Sequence, residues 1–315
     1  MQKANLYLAS ADRVLLEVGR FPTESFESLF DAVAAMDWAE ILPEYARFPV
    51  RARTVKSKLA SPSDVQKIVK KAIVTSLQKR YAIGHFPEDG ALFPIDVTIR
   101  HDECVVCLDT TGEGLFKRGY RREKGGAPLK ETLAAALVDL SVWTPDRAFA
   151  DVFCGSGTIV IEAARKARGI APGMDRSFLF MDWPWADAEG YKKLRRRAMG
   201  EIRMDLKTEM LGFDIDPAMV RIAKRNAEEA GVADMVHFLC LDMREVGLQE
   251  NFGVMISNPP YGKRLEPEEG VRELMESFAT RFLNLRSWSV YLLTAMQEFE
   301  SIAWQKAGKK ATRRS

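Results

Sequence analysis

Four consecutive residues, Asn258, Pro259, Pro260 and Tyr261, form the most chemically suggestive pattern in this 315-residue chain. The Asn258 side-chain oxygen and the Pro259 carbonyl can each accept one N–H of a planar exocyclic amine. Two successive prolines fix φ and keep that carbonyl aimed, and Tyr261 offers a ring on which a flat base can stack. Such an amine is a poor nucleophile, because its lone pair is delocalised into the ring. Holding both N–H bonds directs the lone pair outward. A second pattern runs from Asp151 to Thr158, where Gly155 and Gly157 leave backbone N–H groups bare before a helix. That arrangement suits a nucleotide-like ligand. The third glycine of a dinucleotide fingerprint is replaced by Val160, and no strand-ending acid follows at about 20 residues. A dinucleotide therefore fits poorly. Two acids complete the set: Asp214 can take both hydroxyls of a ribose, and Asp242 can accept from an adenine amine with Met243 beside the ring. Either acid alone also reads as a helix N-cap.

These residues need a scaffold that gathers them. Ala148, Phe149 and Ala150 read as the end of a buried strand, and residues 159–164 as the start of a helix. Residues 210–214 form the next strand. Asp216 and Pro217 then open a helix that runs to Ala230 and stops at Gly231. Further strands are expected at 236–241, 252–257 and 288–294. Strands alternating with helices predict an α/β domain with a mostly parallel sheet covered on both faces. The strand ends then share one edge, where ligands bind in open sheets. Leu129, Leu133, Leu137 and Leu140 keep helical register ahead of this domain. An insertion carries Phe178, Phe180, Trp183 and Trp185, which either pack a flap onto the domain or stack on bases.

The first third of the chain is different in character. Phe26, Leu29, Phe30 and Val33 give a helical stripe behind Thr23, a candidate cap. In residues 48–55, Val50, Ala52 and Thr54 alternate with Arg51, Arg53 and Val55 as a strand. Ser61, Pro62 and Asp64 start a helix with Val65, Ile68, Val69, Ala72, Ile73 and Leu77 on one face. A strand pair at 93–99 and 104–108 turns through residues 101–103. This is a small α+β unit ending near Asp109. The net charge of +2 conceals a strong polarity: residues 1–44 hold three Lys/Arg and eight Asp/Glu, while residues 45–83 hold ten Lys/Arg and one acid, Asp64. Such a block suits a polyanion, with nucleic acid the default. The Lys192, Lys193, Arg195, Arg196 and Arg197 run reads equally well as a solvated face.

Other classes recede. No apolar run approaches the ~20 residues of a membrane helix, and no signal-peptide pattern opens the chain. Four cysteines fit a reducing, cytoplasmic setting. Cys104 and Cys107 have metal-like spacing, but on a strand they face opposite sides, and the chain has three histidines. No metal is expected.

The passage from Arg53 to Leu59 leading into Ser61, Pro62, Ser63 and Asp64 resembles a THUMP domain, an RNA-binding module. The Gly155/Gly157 turn with Asp214, Asp242 and Asn258–Tyr261 matches class I (Rossmann-like) S-adenosylmethionine methyltransferases. Together with Lys117, Arg118, Gly119, Tyr120 and Arg121, residues 127–133, 170–173 and 182–185, the chain resembles THUMP-bearing rRNA guanine-N2 methyltransferases. That resemblance implies residues 1–110 as an RNA-binding domain and 111–315 as the methyltransferase. It implies that Leu129, Lys130, Glu131 and Thr132, with Asp151, Cys154, Gly155, Ser156, Gly157 and Thr158, hold the methionine end of the cofactor. Asp214 would serve the ribose, Ile215 would also contact the cofactor, Asp242 and Met243 would serve the adenine, and Asn258 to Tyr261 the target base. Phosphate contacts would come from Arg51, Arg53, Lys56, Lys58, Lys67, Lys70, Lys71, Lys117, Arg118 and Arg121. S-adenosylhomocysteine would be the product, large-subunit (23S) rRNA or a pre-ribosomal particle the partner, and a monomer the form.

Family members have roughly one more small α+β segment before the position of Asn5, and a two-strand hairpin after the region of residues 309–314. The resemblance therefore predicts a chain lacking an N-terminal segment and the last sheet strands. Alternatives stay open at this point: an adenine-N6 methyltransferase on DNA or RNA, a protein glutamine-amide methyltransferase, or an RNA-binding fragment that no longer catalyses.

Overall fold

The computed structural model describes residues 1–121, 129–206, 208–248, 252–260 and 268–307. Contacts divide the chain into two units, Met1–Leu115 with Arg176–Leu194, and Phe116–Asp175 with Arg195–Ser315.

The first unit contains α1 (Gln2–Tyr7), β1 (Leu15–Pro22), α2 (Phe26–Ala34), β2 (Val50–Val55), α3 (Pro62–Tyr81), β3 (Ile95–Arg100) and β4 (Glu103–Asp109). Its sheet has the order β1-β4-β3-β2, antiparallel except for the β2–β3 pair. Alternation sets which side is buried: Ile95, Val97 and Ile99 on β3, and Cys104, Val106 and Leu108 on β4, are all at 0% exposure. Cys107 lies on the other face from Cys104, as their spacing requires, so the two thiols do not form a metal pair. The predicted helices form, with one shift. The α2 cap is Ser25, whose hydroxyl accepts from the Ser28 N–H at 3.1 Å, while Thr23 is buried and donates to the Ser25 carbonyl. Ser61 caps α3 as expected, accepting from the Asp64 N–H at 3.4 Å.

The aromatic insertion belongs to this first unit, although in the sequence it lies inside the expected methyltransferase domain. Trp183 stacks on Phe93 with centroids 4.8 Å apart, and its indole N–H donates to the Leu92 carbonyl at 3.0 Å. The Trp185 indole donates to Ile41, and the Phe180 N–H to Thr110. Phe178 and Phe180 are buried and stack on each other 5.7 Å apart. With their faces spent on packing, Phe178, Phe180 and Trp183 are core residues, not base-stacking platforms.

The second unit carries α4 (Glu131–Leu140), β5 (Ala148–Asp151), α5 (Thr158–Arg168), β6 (Met210–Asp214), α7 (Pro217–Glu229), β7 (Val236–Cys240), β8 (Gly253–Ser257), α8 (Glu268–Phe282), β9 (Trp288–Leu292) and α9 (Phe299–Ala307). A further helix, α6 (Ala188–Gly200), has residues in both units. The sheet order is β7-β6-β5-β8-β9, with every pair parallel. One core cluster joins Ala134 and Val138 of α4, Ile159 to Ala167 of α5, and Val220, Ala223 and Ala227 of α7. The other joins Phe278 and Phe282 of α8 with Val152, Phe213, Met255 and Trp288. The chain steps outward from β5 through β6 to β7, then returns to lay β8 on the other flank of β5. That reversal opens a crevice between the carboxyl ends of β5 and β8, the topological switch point where ligands bind in such sheets.

Candidate active site

The turn after β5 is held rigidly on three sides. The Cys154 N–H donates to the Phe213 carbonyl at 2.9 Å, and the Gly157 N–H to the Cys154 carbonyl at 2.8 Å. Asn226 of α7 donates to the Ser156 carbonyl at 3.0 Å. Gly157 sits at φ +83°, and a Cβ there would lie 2.6 Å from the Phe238 ring, so only glycine fits. Gly155, at φ +51°, differs: a Cβ there meets nothing within 4 Å, which marks the open side by which a ligand reaches the backbone. Ser156 and Thr158 are buried beneath the turn. Cys154 is also buried, and burial raises its thiol well above the usual range, so it stays neutral.

At the switch point Asp151 is 1% exposed. Burial raises its carboxyl to about 7, opposed by hydrogen bonds from the Phe153 N–H and the Ser257 hydroxyl, and reinforced by the nearby Asp214 charge. Ser257, at 0% exposure, accepts the Val152 N–H at 3.0 Å. Asn258 follows it directly. The Asn258 Oδ1 atom is buried and meets no hydrogen-bond partner among the described residues. A buried amide oxygen without a donor is costly, and an incoming amine N–H would remove that cost. Pro259 is buried beside it. Tyr261, expected to stack on the base, lies outside the described residues.

The two acids sit where their strands end, but neither is idle. Asp214 accepts the Gly155 N–H on Oδ2 at 2.8 Å and the Asp216 N–H on Oδ1 at 2.9 Å. A carboxylate has about four acceptor sites, so each oxygen keeps capacity for a ribose hydroxyl. Ile215 is 67% exposed next to it, an apolar surface suited to a ring. Asp242 is gripped by Arg244 through the Nε and Nη2 groups and the backbone N–H, at 2.6–3.1 Å, and that hydrogen bonding holds its carboxyl below the usual range. Met243 is 3% exposed and packs in the core, so its side chain does not face a ligand as expected; only its backbone remains for the ring.

The helix expected to start at Leu129 begins at Glu131, with Lys130 as its N-cap. Lys130 is exposed and lies over the Phe116 ring at 4.9 Å. Thr132 and Glu131 are buried, and burial pushes the Glu131 carboxyl up. Two expected phosphate contacts are corrected here. Arg118 is 1% exposed and pairs with Glu162 at 3.5 Å, where RNA cannot reach it. Arg121 pairs with Glu131 at 3.6 Å and donates to the Leu129 carbonyl at 3.1 Å and the Thr158 hydroxyl at 2.5 Å. It ties the α4 start to the glycine turn. Lys117 is exposed.

In the first unit, Arg51, Arg53, Lys56, Lys58, Lys67 and Lys71 are exposed on the edge strand β2, the following turn and α3. Arg53 lies 3.3 Å from Asp96, Lys67 lies 3.3 Å from Asp64, and Lys58 pairs with Glu24. Lys70 departs from expectation: it is half-buried over the Phe48 ring and bonds Glu88 at 2.6 Å and the Phe48 carbonyl at 3.1 Å. Cations on an edge strand also discourage sheet-to-sheet pairing. Among the described residues no cluster of acids, cysteines and histidines is placed to hold a metal ion, and no helix is long and apolar enough to cross a membrane.

Residues 118–315 match the RMKL-like methyltransferase domain family, and residues 23–109 match the THUMP domain. The chain belongs to the RMKL-like methyltransferase family. It carries a THUMP domain on its N-terminal side, and its cofactor is S-adenosylmethionine. The Bacillus subtilis (strain 168) protein "Putative RNA methyltransferase YpsC" is 44% identical over 98% of this chain and 80% of its own length. The Shewanella pealeana "Ribosomal RNA large subunit methyltransferase K/L" is 32% identical over 98% of this chain, which spans only 44% of that protein. Among solved structures, "SMU.472, a putative methyltransferase complexed with SAH" has a TM-score of 0.91 at 43% identity, covering 99% of this chain and 82% of the other. A "predicted N6-adenine-specific DNA methylase" from Listeria monocytogenes has a TM-score of 0.92 at 44% identity, covering 99% and 81%. The residues fit the cofactor: an open glycine backbone, an acid with spare acceptor sites and an exposed apolar neighbour line one sheet edge.

Sequence reasoning missed Ser257, Arg244, Phe238 and the inward role of Arg121. Ser257 could have been found from its place directly before Asn258. The others carry no local signal.

Proposed function

We propose that this protein methylates the exocyclic N2 amine of a guanine in large-subunit (23S) rRNA. The observation that carries the reading is the buried, unpartnered Asn258 oxygen at the β5–β8 crevice, beside a glycine turn open to a ligand. The THUMP domain and the resemblance to rRNA guanine-N2 methyltransferases support the choice of RNA and of guanine.

S-adenosylmethionine, when bound, supplies an electrophilic methyl group. The chain's own residues do the positioning. Asp214 holds the ribose while its other acceptor sites keep the Gly155 turn in place. Asp151 receives the methionine ammonium, and Asp242, fixed by Arg244, receives the adenine amine. Asn258 Oδ1 and the Pro259 carbonyl take the two N–H bonds of a flipped-out base, aiming its lone pair along the transfer axis. The alkylated amine is acidic enough to lose its proton without a strong base. Arg51, Arg53, Lys56, Lys58, Lys67 and Lys71 contact phosphates, which orients the RNA without reading its sequence. The substrate is free rRNA or a pre-ribosomal particle, met in the cytoplasm by a monomer.

A second reading is adenine-N6 methylation, because the same motif holds any planar amine and the Listeria structure carries that name. Incubation with labelled S-adenosylmethionine, unmodified rRNA and duplex DNA, followed by nucleoside mass spectrometry, separates the two. N2-methylguanosine in rRNA is the expected product. Label in N6-methyladenine, in DNA or in protein would sink the proposal.

A further inference from the structure

The β5–β8 ladder runs Ala148 to Gly253, Phe149 to Val254 and Ala150 to Met255, then stops. In continued register, Val152 would face Ser257. There the strands part to form the crevice, and the rung is made by a side chain: the Val152 N–H donates to the Ser257 hydroxyl at 3.0 Å. The same hydroxyl favours ionisation of the neighbouring Asp151 carboxyl. Ser257 also keeps its place on its other flank, where its carbonyl accepts the Leu293 N–H at 3.0 Å. One fully buried hydroxyl thus touches the first residues of the cofactor turn on one side and adjoins Asn258 on the other.

We propose that Ser257 is a positioning residue that fixes the distance and angle between the cofactor turn and the amine-holding Asn258. The proposal rests on the cofactor reading of this crevice. Without the hydroxyl, the Val152 N–H loses its buried partner, and among the described residues no other side-chain hydrogen bond joins β5 and β8 at this level. Among the described residues, the groups around Asp151 are the Asp214 carboxylate from β6, the Cys154 thiol from the turn, and Ser257 from β8. Burial and the Asp214 carboxylate disfavour its charge, while the Phe153 N–H and Ser257 favour it. Removing Ser257 therefore moves Asp151 ionisation to higher pH.

The test compares wild type with Ser257→Ala, Ser257→Cys and Ser257→Thr. S-adenosylhomocysteine binding is followed by calorimetry from pH 5 to 9, and turnover is measured on unmodified rRNA. Cysteine keeps the volume but is a weak hydrogen-bonding group, so it serves if alanine fails to fold. For Ala and Cys, the rising limb of affinity shifts to higher pH. Turnover at pH 8 falls ~10–100-fold, the scale of an ångström-sized misplacement. Thr, which restores the hydroxyl, recovers both. Unchanged pH profile and turnover in both Ala and Cys overturns the proposal, as does a Thr variant no better than Ala. If wild type fails to bind S-adenosylhomocysteine, the cofactor reading falls and this proposal with it.

Discussion

The Gly155 N–H donates to Asp214 Oδ2 across 2.8 Å, joining the turn after β5 to the end of β6. One carboxylate therefore shapes the turn and, in its proposed role, holds the ribose, so its loss has two consequences. Asp214→Ala is expected to weaken S-adenosylhomocysteine binding ~10–100-fold, as befits hydrogen bonds to a charged group. Asp214→Asn, which keeps one acceptor, should lie between. Calorimetry checks this; equal affinity in all three proteins would remove Asp214 from the site.

Gly157→Ala places a methyl against Phe238 at a left-handed backbone angle. Overpacking of this kind costs about 1–3 kcal/mol, read as a lower denaturation midpoint. Adding Phe238→Leu should recover part of the loss, because the two changes share one contact. Additive losses would mean that the ring is not the obstacle.

Asp151 gives a pH signature in stability. Its folded carboxyl titrates at about 7 and its ordinary value is 3.8. Below pH 4 both folded and unfolded forms are protonated, and burial costs nothing. As pH rises to 7 the unfolded chain alone ionises, so stability falls, and above 7 the loss is constant. Asp151→Asn should therefore raise stability at pH 8 by ~1–4 kcal/mol and leave it nearly unchanged at pH 4, while cofactor affinity drops. Urea melts at the two pH values decide it.

Asn258→Ala should cut turnover on the order of 10²–10³-fold, the scale for removing one preorganised group from a reacting centre. Cofactor binding by calorimetry should stay largely intact. Loss of both would make the residue structural.

Among the basic residues, the structure separates two behaviours. Arg51→Ala and Lys71→Ala should leave stability unchanged, weaken RNA binding and lower the salt slope by ~0.7–0.9 per contact removed. Lys70→Ala should instead destabilise the first unit, because its ammonium bonds Glu88 and covers Phe48. Filter binding across a salt series, alongside thermal melts, tests both halves.

The sequence by itself determined the alternating α/β order, the acids and glycines at strand ends, and the basic block. All of these are local patterns, set by side-chain period, caps and turn residues within a few positions. It left α1, β1, α6, α8 and α9 unread. The rest depended on residues far apart in the chain. Arg118, Arg121 and Lys70 look like Arg51 in sequence, yet Glu162, Glu131 and Glu88 draw them inward. Trp183 looks like a free aromatic until Phe93, 90 positions earlier, stacks beneath it. Ser257 gains its meaning only because β8 returns to the flank of β5, bringing it to Val152 over 105 residues. A long side chain can bury or expose its charge at similar local cost, so only the tertiary contacts determine which it does.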